Sequence, residues 1–148
     1  MPYWRLFYHV VWATKGREPL IQEAFEKRLH GAIRAKAEEL GALVHAVGGT
    51  EDHVHLVASV PPAISLAKFV GQVKGNSSHF VNSELSLPFI FAWQSEYGAV
   101  SFGGRNLKRV VEYVIDQRRH HAEGMTIPPM EWVSDEEKSP GLVKRAPG

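Results

Sequence analysis

The sequence contains no cysteine. Disulfide frameworks and thiolate metal sites are therefore excluded, an absence compatible with a cytoplasmic protein. No stretch of 18 or more apolar residues occurs, so no membrane-spanning helix is expected. A GxxxxGK[ST] phosphate loop is also missing, and nothing else points to nucleoside triphosphate chemistry. The opening stretch MPYWRLFYHVVW has neither a charged lead nor a small-residue cleavage site, and it reads as a strand rather than a signal peptide. Internal repeats and low-complexity blocks are absent too. Charge of one sign is in short supply: the net charge is only +1. A mild basic excess does run from Pro61 to Val111, where Lys68, Lys74, Arg105, Lys108 and Arg109 face only Glu84 and Glu96. The acids Glu131, Asp135, Glu136 and Glu137 mask it in the total. A basic stretch of this size is most often a solvated surface, so alone it does not identify a nucleic-acid partner.

What is present suffices for one globular domain. The chain has 148 residues, with seven Phe, four Tyr and four Trp for a core. Residues 3–14, YWRLFYHVVWAT, combine aromatic and β-branched side chains and predict a strand. A helical period follows from Leu20 to Leu40, with Ile21, Phe25, Leu29 and Ile33 on one face and Gly41 as its stop. ALVHAVGG (42–49) and HVHLVASV (53–60), separated by Thr50–Asp52, predict a hairpin. Ile64 to about Val81 predicts a second helix despite Gly71 and Gly75. Residues 82–95 read as irregular, 97–102 as a short strand, and Leu107 to about Ala122 as a third helix. Residues 125–148 carry four prolines within mixed charge and predict a partly disordered tail beyond a domain at 1–124. The order β-α-β-β-α-β-α predicts an α+β, ferredoxin-like (RRM-like) antiparallel sheet with helices on one face, plus an extra C-terminal helix. That fold hosts many activities and does not by itself supply one.

The chemistry starts at EDHVHLVAS (51–59). Alternate residues of a strand share a face, so His53 and His55 project side by side while Val54 and Leu56 turn into the core. Two polar residues facing solvent would explain this equally well, but paired imidazoles at that spacing can also share one metal ion. A histidine-triad nucleotide hydrolase would need a third histidine at position 57, which is Val57. A two-histidine phosphoesterase would need Ser or Thr at position 55. The remaining pattern pairs the histidines with a nucleophilic tyrosine on a helix. RVVEYVIDQRRHH (109–121) offers one, with Tyr113 and Gln117 on one helical face, His121 a further turn on and His120 beside it. An amphipathic core tyrosine, a surface glutamine and a cationic helix end would give the same pattern.

At this point the chain resembles the single-tyrosine HUH transposases of small prokaryotic insertion sequences, the IS200-like family. The resemblance rests on VVWATKGREPLI (10–21), VGGTEDHVHLVAS (47–59), KGNSS (74–78), FAWQSEYGAVSF (91–102) and YVIDQRRHH (113–121), in the family's order. The sequence departs from the pattern at Ser95-Glu96 and Val100, positions that read as structural. The resemblance implies that Tyr113 is the nucleophile and that His53, His55 and Gln117 hold a divalent ion, Mg²⁺ or Mn²⁺. It implies cleavage and rejoining of hairpin-bearing single-stranded DNA through a 5′-phosphotyrosine, and a homodimer with composite sites in which Tyr113 of one chain serves the histidines of the other. Zinc is the third choice of metal. Lys15, Arg17, Lys68, Lys74, Ser77 and Ser78 are candidate DNA contacts, each with a solvated surface as the plain alternative. Trp93 and Tyr97 could stack bases, but beside Phe89-Ile90-Phe91 they read better as core. His9 and His79 read as structural. Two other functions stay open: a non-catalytic single-strand nucleic-acid binding module of the same fold, and a metal-dependent phosphodiesterase that uses water.

Overall fold

The computed structural model describes residues 4–116, and within them the elements follow the expected order. They are β1 (Phe7–Ala13), α1 (Glu23–Glu39), β2 (Leu43–Gly49), β3 (His53–Ser59), α2 (Leu66–Glu84), β4 (Gly98–Phe102) and α3 (Leu107–Ile115). The four strands form one antiparallel sheet in the order β2-β3-β1-β4. This is the ferredoxin-like α+β arrangement. Among the described residues no helix is long and apolar enough to cross a membrane.

α1 and α2 cover one face of the sheet. Phe25, Leu29, Ile33 and Ala37 recur every fourth residue along α1, and Phe69, Val70, Val73 and Val81 do the same work on α2. They close over Val10, Trp12, Val54, Leu56 and Ala58 from the two central strands. Gly41, with φ of 94°, supplies the left-handed step that ends α1, and Ala42 N–H donates to the Ala37 carbonyl. α2 starts two residues later than the sequence suggested, because Ser65 is its N-cap: its hydroxyl accepts from Lys68 N–H. α1 starts three residues later than Leu20. Pro19 favours extended backbone at Glu18, and Ile21 N–H is taken by the Glu51 carbonyl across the hairpin loop.

α3 lies on the other face. Val110, Tyr113 and Val114 pack on Ala46 of β2 and Val57 of β3. Helices thus cover both faces of the central strands, which is why β3 is buried along its whole length, the two histidines included. Gly48 permits this close seat. It pairs with His55 in the ladder, and a Cβ there would collide with the Val114 backbone carbonyl.

A bulge in β2 sets the far side of that face. The register shifts between Val44 and Ala46, so His45 is the extra residue and its imidazole meets the Ser59 hydroxyl at 2.8 Å. Burial holds the His45 pKa below the ordinary histidine value. The unfolded chain therefore binds this proton more readily than the folded one. Stability from this group is complete above the unfolded pKa of about 6.5 and is lost as pH falls through the lower folded value. Chemical denaturation at pH 7.5 and 5.5 is expected to show a smaller loss for His45→Gln than for the wild type. An equal loss would assign the acid sensitivity to other groups.

Candidate active site

The site is assembled on the sheet face beneath α3. β3 contributes His53 and His55, whose rings lie 5.0 Å apart, both fully buried. β1 sets its small residues Ala13 and Val11 directly opposite them, so the imidazoles are not crowded from that side. Val54 and Leu56 turn to the opposite core, as the alternation requires.

His53 is held by the turn before it. Its Nδ1–H donates to Asp52 Oδ1 at 2.8 Å, with Thr50 Oγ1 at 3.0 Å from the same nitrogen. Thr50 Oγ1 also donates to Asp52 Oδ1, and Arg17 Nη2 lies 3.4 Å from Asp52 Oδ2. Burial pushes the Asp52 carboxyl up, but the hydrogen bond to His53, the Arg17 charge and the Thr50 hydroxyl outweigh it and hold the group below its ordinary value. An ionised carboxylate only accepts, so the neutral tautomer of His53 that this contact selects has its proton on Nδ1 and its lone pair on Nε2. This is the carboxylate–histidine pairing that orients a metal-ligating imidazole. Arg17 adopts φ of 55°, a left-handed conformation uncommon for a side-chain-bearing residue, and there its guanidinium meets Asp52.

α3 brings the phenol. Tyr113 is 4% exposed, and its ring stands edge-on to His55 with centroids 5.9 Å apart. The same ring is 6.4 Å from that of His9 on β1. His9 is buried, stacks on His55 at 4.9 Å and joins it through a 2.7 Å contact from Nε2 to His55 Nδ1. A structural reading of His9 missed this. The signal was period-2 spacing: His9, Val11 and Ala13 share a face of β1, which only strand pairing could place beside β3.

Gln117, His120 and His121 lie outside the described residues. Among the described residues no group of three His, Cys, Asp or Glu side chains is gathered around one point. The described donor set is therefore the imidazole pair. Its chemistry suits a divalent ion: two buried imidazoles side by side, one of them with a carboxylate behind its Nδ1.

The other sequence candidates do not gather here, apart from Arg17. Ser77 is a correction. It is fully buried, its hydroxyl donates to the Lys74 carbonyl and accepts from Trp93 Nε1–H at 3.0 Å, and it fastens α2 to the 91–97 segment instead of facing a phosphate. Lys74 Nζ donates to the carbonyls of Gln94 (2.6 Å) and Glu96 (3.1 Å), and Ser78 Oγ donates to the Gly75 carbonyl. Trp93 packs edge-on against Trp12 and Phe91 and, with Tyr97, borders the α1–α2 core. Lys15 and Lys68 are exposed. A cavity of about 450 Å³ opens between α2 and this segment, lined by Gly71, Lys74, Gly75, Trp93 and Tyr97 among others, on the face away from the histidines.

Comparison with known proteins gives three findings. A family model described as "Transposase IS200 like" matches residues 2–117. The transposases for insertion sequence element IS200 of Salmonella typhimurium and Salmonella typhi are each 25% identical over 119 residues, covering 77% of this chain and 78% of theirs. Among solved structures, a Deinococcus radiodurans R1 protein with a transposase assignment superposes with a TM-score of 0.61 at 24% identity, over 76% of this chain and 91% of that one. A REP-associated tyrosine transposase bound to a REP hairpin gives 0.59 at 13% identity, over 85% and 73%. These two likenesses show a shared fold.

Proposed function

Because this chain belongs to the IS200-like transposases, we propose that it cleaves and rejoins single-stranded DNA with hairpin ends, using Tyr113 as nucleophile. The observation that carries this reading is the convergence of three elements: the α3 phenol 5.9 Å from the His55 ring, with His53 5.0 Å beyond and braced by Asp52. A phenol of ordinary pKa near 10 is a weak nucleophile at neutral pH and needs help at the phosphate. Mg²⁺ or Mn²⁺, when bound, supplies Lewis-acid polarisation of the scissile phosphate. His53 and His55, with Gln117 as third donor, hold it in this reading.

The residues perform the rest. Tyr113 Oη forms a bond to phosphorus as the bond from phosphorus to the 3′ oxygen breaks. The phenol loses its proton, and the departing 3′ oxygen gains one. One phosphodiester replaces another, so attack by a 3′-hydroxyl on the 5′-phosphotyrosine reverses the step and joins strands without an external energy source. A buried ring cannot receive DNA where it stands. Tyr113 must swing from its seat on Val57 and His55, or α3 must lift, before the phosphate is within reach.

The test is one denaturing gel. Incubation with hairpin-bearing single-stranded DNA and Mn²⁺ is expected to give a protein–DNA adduct that survives denaturation and is absent with EDTA or in His53→Ala. Cleaved DNA with no trapped protein would instead mean attack by water. Binding alone, indifferent to metal, would leave a nucleic-acid binding module. We take the active form to be a homodimer, with the ownership of each tyrosine decided by the mixed-chain experiment described in the Discussion.

A further inference from the structure

The metal reading needs more of His55 than its presence. An imidazole ligates through a lone pair, so the nitrogen that faces the ion must be free of its proton. For His53 the Asp52 carboxylate fixes the tautomer. His55 is held from another side. Its Nδ1 meets another histidine, His9, across the β1–β3 ladder at 2.7 Å.

One neutral imidazole in such a contact donates and the other accepts. If His9 donates, His55 must carry its proton on Nε2, and that nitrogen has no lone pair for an ion. If His9 accepts, His55 carries the proton on Nδ1, and the lone pair on Nε2 can ligate. We propose that His9 is a positioning residue that holds His55 in the second state. In this role it is the neutral counterpart of Asp52 behind His53, and it also fixes the ring plane, since the two imidazoles stack with an interplanar angle of 28°.

The placement supports a dedicated role over incidental packing. His9 stands diagonal to His55, the position from which a long side chain on β1 reaches it. It is 2% exposed, and a buried imidazole is costly to leave without hydrogen-bond partners. A core built only for stability would carry an aliphatic residue there, as β1 does at Val10 and Val11. The same ring borders Tyr113, so His9 orients one member of the metal pair from beside the nucleophile.

The inference rests on the metal-binding reading of His53 and His55, and two measurements keep their failures apart. The first is ¹⁵N NMR of the metal-free wild type, which reads the tautomers directly. His55 is expected with protonated Nδ1 and unprotonated Nε2, and protonation at Nε2 would overturn the inference whatever the metal does. The second is Mn²⁺ titration followed by electron paramagnetic resonance, with no DNA present. His9→Leu is expected to bind Mn²⁺ about 10- to 100-fold more weakly, the usual range for removing such a partner. His9→Gln, whose amide oxygen can accept from Nδ1–H, is expected to recover most of that loss. Wild-type affinity in a folded His9→Leu protein would overturn the inference. If His9→Leu does not fold, the NMR result on the wild type decides alone. Equal Mn²⁺ binding by wild type and His53→Ala would bring down the metal reading itself, and this inference with it.

Discussion

Tyr113→Phe is expected to remove the covalent protein–DNA product entirely, a loss on the order of 10⁴-fold or more in strand cleavage, as for other enzymes deprived of a nucleophile. The fold is expected to survive. Phenylalanine keeps the ring that packs on Ala46 and Val57 and stands against His55, and only the hydroxyl is lost. One hydroxyl is worth about 1 kcal/mol, a shift of roughly 5 °C at most in melting temperature. Binding of the DNA hairpin measured in EDTA should be unchanged, because neither the phenol nor the metal is needed for it. Persistence of the adduct in Tyr113→Phe would remove Tyr113 from the mechanism.

The same variant decides which chain owns the site. Within one chain the phenol already neighbours its own imidazoles. If that arrangement is the reactive one, a mixture of Tyr113→Phe and His53→Ala chains forms no adduct, since neither contributes a whole site. Adduct appearing on the His53→Ala chain would mean that its tyrosine crosses to the partner's histidines, the composite arrangement of the family resemblance.

Gly48→Ala is the second large effect, and it comes from backbone geometry alone. A single methyl at this position meets the Val114 carbonyl, one residue from Tyr113. Neither β2 nor α3 can yield cheaply, because β2 is paired to β3 from Ala46 to Gly49 and α3 is anchored by Val110 and Val114. The cost expected for such overpacking is about 1–3 kcal/mol, read as a lower denaturation midpoint. The effect on chemistry is expected to be larger. A displacement of about 1 Å at a reacting group can cost about 100-fold, and Tyr113 rides on the displaced turn. Gly71→Ala is the control. Its new methyl meets nothing within 4 Å, and in the middle of α2 it is expected to stabilise by up to about 1 kcal/mol. Gly48→Ala behaving like Gly71→Ala would show that α3 does not sit as closely on β2 as described.

Much of this architecture was readable in advance because it is periodic. The run Phe25, Leu29, Ile33 names one face of α1, and the alternation around Val54 and Leu56 sends His53 and His55 to the opposite side of β3. Errors fell at element ends and at single polar side chains. α1 begins at Glu23 instead of Leu20 because a carbonyl in the hairpin loop captures Ile21 N–H, a contact between residues 30 positions apart. Ser77 passed for a surface serine on a basic helix until Trp93 supplied its indole N–H as a partner.

The sequence by itself determined the order of elements, the common face of the two histidines and the helix that carries Tyr113, since each follows from periods of two or about four residues within one element. Tertiary structure alone decided that α3 closes the histidine face of the sheet, that Arg17 meets the carboxylate behind His53, and that His9 meets His55. Those contacts join residues 35 and 46 positions apart. Strand order, register and the missing side chain of Gly48 set them, and a local pattern contains none of the three.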